Sequence, residues 1–562
     1  MSATLTEPSQ LKWSTWLYRS KPDSWTFGVV CCALLITVPV LTVFSFVFHP
    51  AGDVWNHLVE TVLFDYLRNS LVLVLGVAIG VTTMGVTCAW LTTICVFPGS
   101  RVLTWALLLP MAMPAYIIAY TYTGMFDFAG PVQSFLRESF AWNRNDYWFP
   151  EIRSIGGAIA MLSLVLYPYV YLLARSAFLQ QSVSIIDASR NLGYGPWRSF
   201  FKISLPIARP AIIAGLSLAL METLADYGTV QYFGVATFTT GIFRTWFGLG
   251  DSSAAAQLSA MLTGFVFVLI VLERYSRKRA KFHTVGSRSA PLSRIRLHGW
   301  KKYLALLACI LPLALGFIFP AVQLSIWAWQ TAAEMVDLRF IYLVLHSMEL
   351  AAITATLAVL LALFFAYGER LRPIARVKTA VRVVGMGYAV PGTVIAIGVI
   401  LPFAWLDNLI DDWARSSFNY STGLLLSGTL FALVFAYLVR FLAIAIQTVE
   451  AGLSTIKPSM DDTARTLGFG PLKVLRKIHI PILRGSLLTA ALLVFVDVLK
   501  ELPATLVLRP FNFNTLAVRA YELASDERLA DSSTAALAIV ATGIIPVILI
   551  SYSISHSRKR KD

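Results

Sequence analysis

Four carboxylates interrupt long apolar stretches of this chain, in two pairs with identical spacing. Glu222 and Asp226 form the first pair, and Asp497 and Glu501 form the second, 275 residues further along. A spacing of four residues places both carboxylates of a pair on one face of a helix. A charged side chain at the centre of a membrane costs roughly 2.5–3.5 kcal/mol, so such groups usually face a bundle interior or an aqueous cavity. These acids are therefore candidates for a gate or transient site on the path of a cationic cargo.

A structural explanation of the same acids stays open at this point. Lys500, Arg244 or Arg519 would neutralise them, and Pro503 favours a break in the second helix. The seven histidines are scattered without the spacing of a metal site, so any metal ligands stay unknown. The five cysteines lie in apolar runs and form no CxxC motif, which is typical of small buried hydrophobic side chains. We expect no catalytic residue and no cofactor.

Two polar segments, at about 181–207 and 448–482, repeat each other's sequence. Each combines an acid, small residues and a glycine six residues after the acid: Asp187, Ala188, Ser189 and Gly193 in the first, and Asp462, Thr463, Ala464 and Gly468 in the second. A serine three residues before each acid (Ser184, Ser459) is typical of a helix start, and the glycine is typical of a helix end. A helix of about nine residues rises only about 14 Å, too little to cross a membrane. We therefore expect each segment to lie on a membrane face and to present side chains to a partner.

The elements that position these residues are membrane-spanning helices. Of the 562 residues, 57% are hydrophobic and only 14% are charged. About twelve apolar runs are long enough to cross the hydrocarbon core: 27–48, 70–95, 102–124, 155–179, 208–235, 253–272, 303–326, 343–367, 380–405, 422–447, 484–508 and 533–554. Backbone polar groups in lipid must be satisfied within the segment, so the runs are helices. The predicted fold is all-α and polytopic.

Basic residues predict the orientation of these helices. The 46 lysines and arginines outnumber the 31 acids and concentrate in the tail 558–561, in the segment 274–302 and in the two polar segments. Positive residues stay on the cytoplasmic side, so we expect both termini in the cytoplasm of a bacterial inner membrane. The net charge of +15 then reflects topology and contact with anionic lipid, not a nucleic-acid partner.

An internal repeat divides the chain into two halves. Offsets of about 275 residues relate the polar segments, and Pro114 matches Pro391 at an offset of 277. Each half contains an even number of runs, so the repeats are parallel. We expect a first half at 1–273, a basic cytoplasmic linker at 274–302 and a second half at 303–562.

The polar segments resemble the coupling loops of ABC-importer permeases, in which an acid, two alanines and a glycine dock a separate ATPase. The resemblance assigns this role to the eight residues named above. The sequence departs from the family pattern by using Asp for Glu, Ser189 for the second alanine and Thr463 for the first. Only the second segment adds a further acid, Asp461, so the two ATPase contacts should be similar in geometry and different in strength. An ordinary surface helix between spans is the alternative.

The resemblance implies a type I ABC importer permease that works with separate ATP-binding subunits, one for each loop. No GxxxxGK[ST] phosphate loop occurs in the chain, so we expect the protein not to be an enzyme with its own ATPase site. A secondary transporter driven by an ion gradient would also fit parallel repeats and intramembrane acids. It does not explain two short helices with glycine ends on one membrane face. A purely structural membrane scaffold is a third, weaker alternative.

The stretches 224–247 and 500–519 look like the fused permeases of ferric-iron importers. This resemblance covers most of the chain and implies a periplasmic or surface-tethered solute-binding protein as the donor of ferric iron. Hard Fe(III) suits carboxylate oxygen, which agrees with the acidic outer mouth that the predicted topology gives. Fused thiamine permeases share the two-half layout, and permeases for sulfate, phosphonates or polyamines are further alternatives.

Overall fold

The computed structural model describes residues 24–50, 52–181, 194–278 and 295–559, and helices dominate them. In chain order the α-helices are α1 (Ser24–Ser45), α2 (Asp53–Thr61), α3 (Leu63–Ile94), α4 (Ser100–Ala106), α5 (Ala115–Phe126), α6 (Pro131–Phe140), α7 (Ile155–Gln180), α8 (Pro196–Ser199), α9 (Leu205–Ala225), α10 (Gly228–Tyr232), α11 (Phe238–Phe243), α12 (Ser252–Lys278), α13 (Trp300–Leu313), α14 (Phe319–Met335), α15 (Leu338–Leu371), α16 (Ala375–Val384), α17 (Gly392–Phe418), α18 (Leu430–Ser454), α19 (Pro458–Thr466), α20 (Pro471–Val474), α21 (Ile480–Leu499), α22 (Pro503–Leu508), α23 (Leu516–Ser525) and α24 (Leu529–Lys559). Three 3₁₀ turns lie at Phe46–Phe48, Leu109–Ala112 and Gly387–Ala389. The strands β1 (Cys95–Val96) and β2 (Ile295–Arg296) form a short parallel pair.

The prediction of an all-α polytopic membrane protein is confirmed. Eleven helices in the described ranges are long and apolar enough to cross a membrane, and one sharply bent pair would bring the number to twelve. That pair, Ser100–Ala112 and Ala115–Phe140, turns through 91° and covers the run predicted at 102–124.

Several predicted boundaries are wrong, each because a proline or a polar residue interrupts an apolar run. The run 380–405 is divided between amphipathic α16 and membrane-length α17, with Pro391 between them. The runs 208–235 and 484–508 end early, at Ala225 and Leu499.

The same kind of break occurs in both sequence repeats. Pro114 precedes α5 and Pro391 precedes α17, and both prolines have extended backbone angles, with ψ of 142° and 143°. A 3₁₀ turn comes shortly before each proline. Proline cannot donate the hydrogen bond that would continue the preceding helix, so the repeated Ala-x-Pro pattern sets two equivalent breaks.

Four π-helical turns occur in the described ranges, and two of them are related by the repeat. They span Phe200–Ser204, Arg244–Gly248, Ala314–Ile318 and Leu475–His479. The first and last are separated by 275 residues, and each joins a short helix, α8 or α20, to a long one, α9 or α21. The helices α9 and α21 begin at Leu205 and Ile480, before the runs predicted from 208 and 484, because Pro206 and Pro481 lie in their first turns without stopping them.

The described residues form two compact units. The smaller unit consists of α1 up to Val38 together with Ile353–Tyr388 and Tyr437–Val494. The larger unit consists of Pro39–Ala352, Ala389–Ala436 and the chain from Phe495 onward.

Small residues bring helices of the larger unit into close contact. On α3, a Cβ atom added at Gly76 would lie 2.5 Å from Ile159, and one added at Gly80 would lie 2.3 Å from Ser163. Both partners are on α7. This small-xxx-small spacing allows two membrane helices to approach closely, and it fixes α7, whose C-terminal end leads to the first polar segment.

Candidate functional site

The helices that carry the four acids end close to them. Asp226 is the first residue after α9, and Glu501 lies two residues after the end of α21. Neither pair therefore shares one face of a continuous helix, and that part of the prediction is wrong. Asp226 and Glu501 are equivalent by the repeat, so both halves place one acid inside a helix and one in the turn that follows.

Asp226 binds the first turn of α10. Its Oδ2 accepts a hydrogen bond from Thr229 Oγ1 at 2.9 Å, and its Oδ1 accepts one from the backbone N–H of Val230 at 3.1 Å. Thr239 Oγ1 donates to the carbonyl oxygen of Asp226 at 2.7 Å. A carboxylate at the N-terminus of a helix satisfies donors that have no partner within that helix. Asp226 therefore stabilises the break between α9 and α10.

Glu501 has the same role at the start of α22. Its Oε1 accepts a hydrogen bond from the backbone N–H of Ala504 at 3.1 Å, and its carbonyl oxygen accepts one from Thr505 Oγ1 at 2.7 Å. The residue is only 5% exposed. The structural explanation of the acids, in which a helix break lies beside them, therefore applies to Asp226 and Glu501.

Glu222 and Asp497 are the acids that lie within the helices, and Lys500 accompanies them. Lys500 Nζ is 2.7 Å from Asp497 Oδ1, with the two side chains 28% and 16% exposed. Glu222 also lies within electrostatic range of Lys500. The structure therefore brings one acid from each repeat toward a single lysine. In the described ranges, no group of three or more His, Cys, Asp or Glu residues could hold a metal ion.

The second polar segment forms the predicted short helix, α19, with a different start. The helix begins at Pro458 with Lys457 as its N-cap, and no side chain caps it. The serine-based start predicted at Ser459 is therefore wrong, because proline already supplies a first-turn residue that needs no hydrogen-bond acceptor.

The predicted end of α19 at glycine is confirmed. Gly468 has a φ of +76°, in the left-handed region that glycine adopts without strain. Its N–H donates to the Arg465 carbonyl at 2.9 Å, and the N–H of Phe469 donates to the Ala464 carbonyl at 3.0 Å. These two bonds complete a Schellman motif, which satisfies carbonyl groups at the helix end.

The residues predicted to dock a partner differ in exposure. Asp462 and Thr463 are exposed, whereas Ala464 is only 2% exposed and packs inward. Met460, Leu467 and Leu472 add apolar surface, with exposed fractions of 40%, 69% and 68%. The segment therefore presents a mixed apolar and charged face, on which Asp462 lies 3.5 Å from Arg465. The equivalent residues of the first segment, Asp187, Ala188, Ser189 and Gly193, lie outside the described residues.

Asp461, next to the predicted docking acid, faces the protein. Its Oδ2 lies 2.8 Å from Arg370 Nε and its Oδ1 lies 2.6 Å from His479 Nε2. Partial burial opposes ionisation, but the hydrogen bonds and charges of Arg370 and His479 outweigh it, so the pKa of Asp461 lies below its usual value. The arginine and the histidine are far away in sequence, and the extra acid at 461 was the only sequence signal of this contact.

A family model described as "Binding-protein-dependent transport system inner membrane component" matches twice, at residues 82–281 and 358–561. The Fe(3+)-transport system permease protein FbpB 2 of Haemophilus influenzae is 26% identical over 538 residues, which cover 93% of this chain and 98% of that protein. The molybdenum transport system permease protein ModB of Escherichia coli is 28% identical over 208 residues, 35% of this chain and 87% of its own length. A probable sulfate transport system permease protein of Chlorokybus atmophyticus is 26% identical over 218 residues, 39% of this chain and 73% of its own length.

Proposed function

This chain belongs to the family of binding-protein-dependent transport system inner membrane components, and we propose that it is the fused permease through which an ABC importer moves ferric iron. The iron is delivered by a periplasmic or surface-tethered solute-binding protein. Separate ATPase subunits supply the energy, because the chain contains no phosphate-binding loop of its own.

The length of the match to the iron permease supports this cargo most strongly. That relative aligns over 93% of the chain and therefore includes both repeats. The molybdenum and sulfate permeases align with 35% and 39% of the chain, about the length of one repeat. The acids Glu222 and Asp497 agree with a cargo that prefers hard oxygen ligands.

The two polar segments are the proposed docking sites for the ATPase subunits. In this proposal α19 inserts its exposed side chains, among them Asp462 and Leu467, into the partner, and the segment that contains Asp187 does the same in the first half. A helix that is followed by a left-handed glycine and then joins a membrane helix through α20 gives a short rigid connection. Closure of the ATPase pair would move α21 through this connection.

The proposed cargo path passes Glu222, Asp497 and Lys500. Lys500 holds Asp497 in the observed arrangement, so a passing cation competes with a tethered ammonium group for the same carboxylate. Asp226 and Glu501 keep the two helix breaks in shape and are not proposed as cargo ligands.

The proposed topology follows the positive-inside rule. In this topology both termini lie on the cytoplasmic side of a bacterial inner membrane. The linker 274–302, which joins the halves 1–273 and 303–562, lies on the same side. Both docking segments then lie on the same face as the ATPase.

Competitive uptake tests the cargo. Cells that lack their own importer and express this chain with its ATPase and binding protein should accumulate radiolabelled Fe(III), and unlabelled thiamine, molybdate or sulfate in excess should not reduce the rate. A matched strain with Gly193→Asp plus Gly468→Asp provides the transport-dead control. Uptake of labelled thiamine, molybdate or sulfate without uptake of iron would contradict the cargo. Iron uptake that persists without ATP would support the ion-coupled alternative.

A further inference from the structure

The second docking segment is attached to the end of α15 by a group of four side chains. Arg370 and Tyr367 are one helical turn apart near the C-terminus of α15, and they reach Asp461 and the first residue of α20. His479, in the π-helical turn before α21, completes the group. Tyr367, Arg370, Asp461 and His479 are called the clamp below.

Arg370 contacts both ends of the connection that leads into α19. Its Nε donates to Asp461 Oδ2 at 2.8 Å, while Nη1 and Nη2 donate to the carbonyl oxygens of Leu453 and Ile456 at 2.7 and 2.9 Å. Those carbonyls belong to the C-terminal end of α18 and the turn after it. One guanidinium group thereby fixes the end of α18 to the first turn of α19, and its planar fork suits three acceptors at once.

His479 and Tyr367 connect the other side of the segment. His479 is fully buried, and its ring packs edge-on against Tyr367 with centroids 5.3 Å apart. The Tyr367 hydroxyl donates to the carbonyl oxygen of Pro471 at 2.7 Å. The clamp therefore contacts the second docking segment at four places: before α19, within α19, at the start of α20 and in the π-helical turn.

At the four positions equivalent to the clamp, the first repeat carries different residue types. At the 277-residue offset given by Pro114 and Pro391, Trp90 and Thr93 stand in place of Tyr367 and Arg370. At the 275-residue offset of the polar segments, Ile186 and Ser204 stand in place of Asp461 and His479. Trp90 instead packs against Phe200, with ring centroids 4.7 Å apart. Trp90 therefore makes a ring contact at the position of Tyr367, without the hydroxyl that Tyr367 donates to Pro471.

We propose that the clamp is a rigid joint through which the second docking segment transmits ATPase movement to the membrane helices. The inference depends on the proposed ATPase docking and goes beyond it, because it assigns a positioning role to residues that do not face the partner. Asp462 would contact the ATPase, whereas Asp461 would hold the helix that carries it. A loosened clamp would leave the ATPase bound and its movement incompletely transmitted.

The test separates docking from transmission. The complete transporter with Arg370→Lys, Asp461→Asn or Tyr367→Phe is purified with its ATPase and reconstituted in liposomes. Three quantities are measured: the ratio of ATPase subunit to permease, the rate of ATP hydrolysis, and the amount of Fe(III) imported from the loaded binding protein per ATP hydrolysed. Arg376→Lys, an exposed arginine five residues after the end of α15, is the matched control.

We expect the clamp variants to keep the ATPase subunit and to import roughly 2- to 30-fold less iron per ATP, the range by which single residues modulate coupling between sites. Tyr367→Phe removes one hydroxyl and preserves the ring, so it tests the joint even if the charge variants fold poorly. The double variant Arg370→Lys plus Asp461→Asn should import little less iron per ATP than either single variant.

An unchanged amount of iron per ATP in Tyr367→Phe and Arg370→Lys would overturn the inference. Loss of the ATPase subunit from these variants would also overturn it, because the residues would then be needed for docking itself. If the unmodified chain retains no ATPase subunit, the proposed function fails instead.

Discussion

At the scale of single residues, the four membrane-embedded acids differ in what their carboxylates contact. Asp226 and Glu501 bind backbone N–H groups of the following short helices, whereas Asp497 binds Lys500. The sequence identified all four and their pairing by the repeat. The sequence could not separate the acids that cap a helix from the acids of the proposed cargo path, because this distinction depends on where each helix ends.

Removing the cap acid is expected to destabilise the protein. Asp226→Ala leaves the Val230 N–H and the Thr229 hydroxyl without their acceptor, which costs about 1 kcal/mol, within the usual range of 0.5–2 for a helix cap. Thermal unfolding in detergent measures the change. Asp65→Ala removes a half-exposed acid paired with Arg68 on α3 and is the control, with an expected change within about 0.5 kcal/mol. Equal effects of the two substitutions would contradict the capping role.

Neutralising the path acids is expected to impair transport without unfolding the protein. Glu222→Gln plus Asp497→Asn preserves side-chain volume and removes the charges that attract a cation, and we expect iron uptake to fall about tenfold, which corresponds to about 1.4 kcal/mol. ATPase retention and the unfolding temperature serve as controls. Unchanged uptake would leave these acids with a structural role only.

At the scale of elements, the length of the apolar runs predicted the helices well, and their ends poorly. Gly468 was identified correctly, because only a left-handed residue completes the Schellman motif of α19. The starts of α9 and α21 were not identified correctly, because Pro206 and Pro481 lie in the first turns of these helices, where proline is tolerated. The fully buried Asp407, which accepts hydrogen bonds from the N–H groups of Leu425, Leu426 and Ser427, was missed because its partners lie 18 to 20 residues away.

A side chain at Gly468 should strain the end of α19. Gly468→Ala forces a Cβ atom into the left-handed conformation at a cost of about 1–2 kcal/mol. The expected result is faster proteolysis within residues 457–471, followed by mass spectrometry. Gly485→Ala is the control, because it lies within α21 in open space, where alanine favours the helix. Equal protection in both variants would contradict the assigned motif.

The clamp also predicts a dependence of stability on pH. The pKa of Asp461 is lowered below 3.8 by its hydrogen bonds to Arg370 and His479. A lowered pKa in the folded state stabilises the protein above the unfolded-state pKa, and this contribution disappears as the pH falls through the folded-state value. The difference in unfolding temperature between the unmodified protein and Asp461→Asn should therefore shrink as the pH falls below about pH 4. A difference that stays constant down to the acid limit would contradict the ionised pair.

At the scale of the whole molecule, the two repeats share a framework and differ in their attachments. Both contain an Ala-x-Pro break, a π-helical turn before a long helix and an acid that caps a helix break. The repeat was readable from the sequence because motifs at fixed offsets survive divergence. The compact units were not, because residues from three distant stretches of sequence build the smaller one. The repeats share this framework and differ at the residues equivalent to the clamp. This difference agrees with the proposal that the two ATPase contacts contribute differently to one transport cycle.

The amount of ATPase subunit that co-purifies with the permease tests whether the two segments dock the ATPase. We expect about one ATPase subunit for each docking segment in the unmodified protein, and loss of both in Gly193→Asp plus Gly468→Asp. Gly468→Asp alone should retain about half, because the segment of the first half is intact. Full retention of the ATPase in the double variant would contradict docking through these two segments.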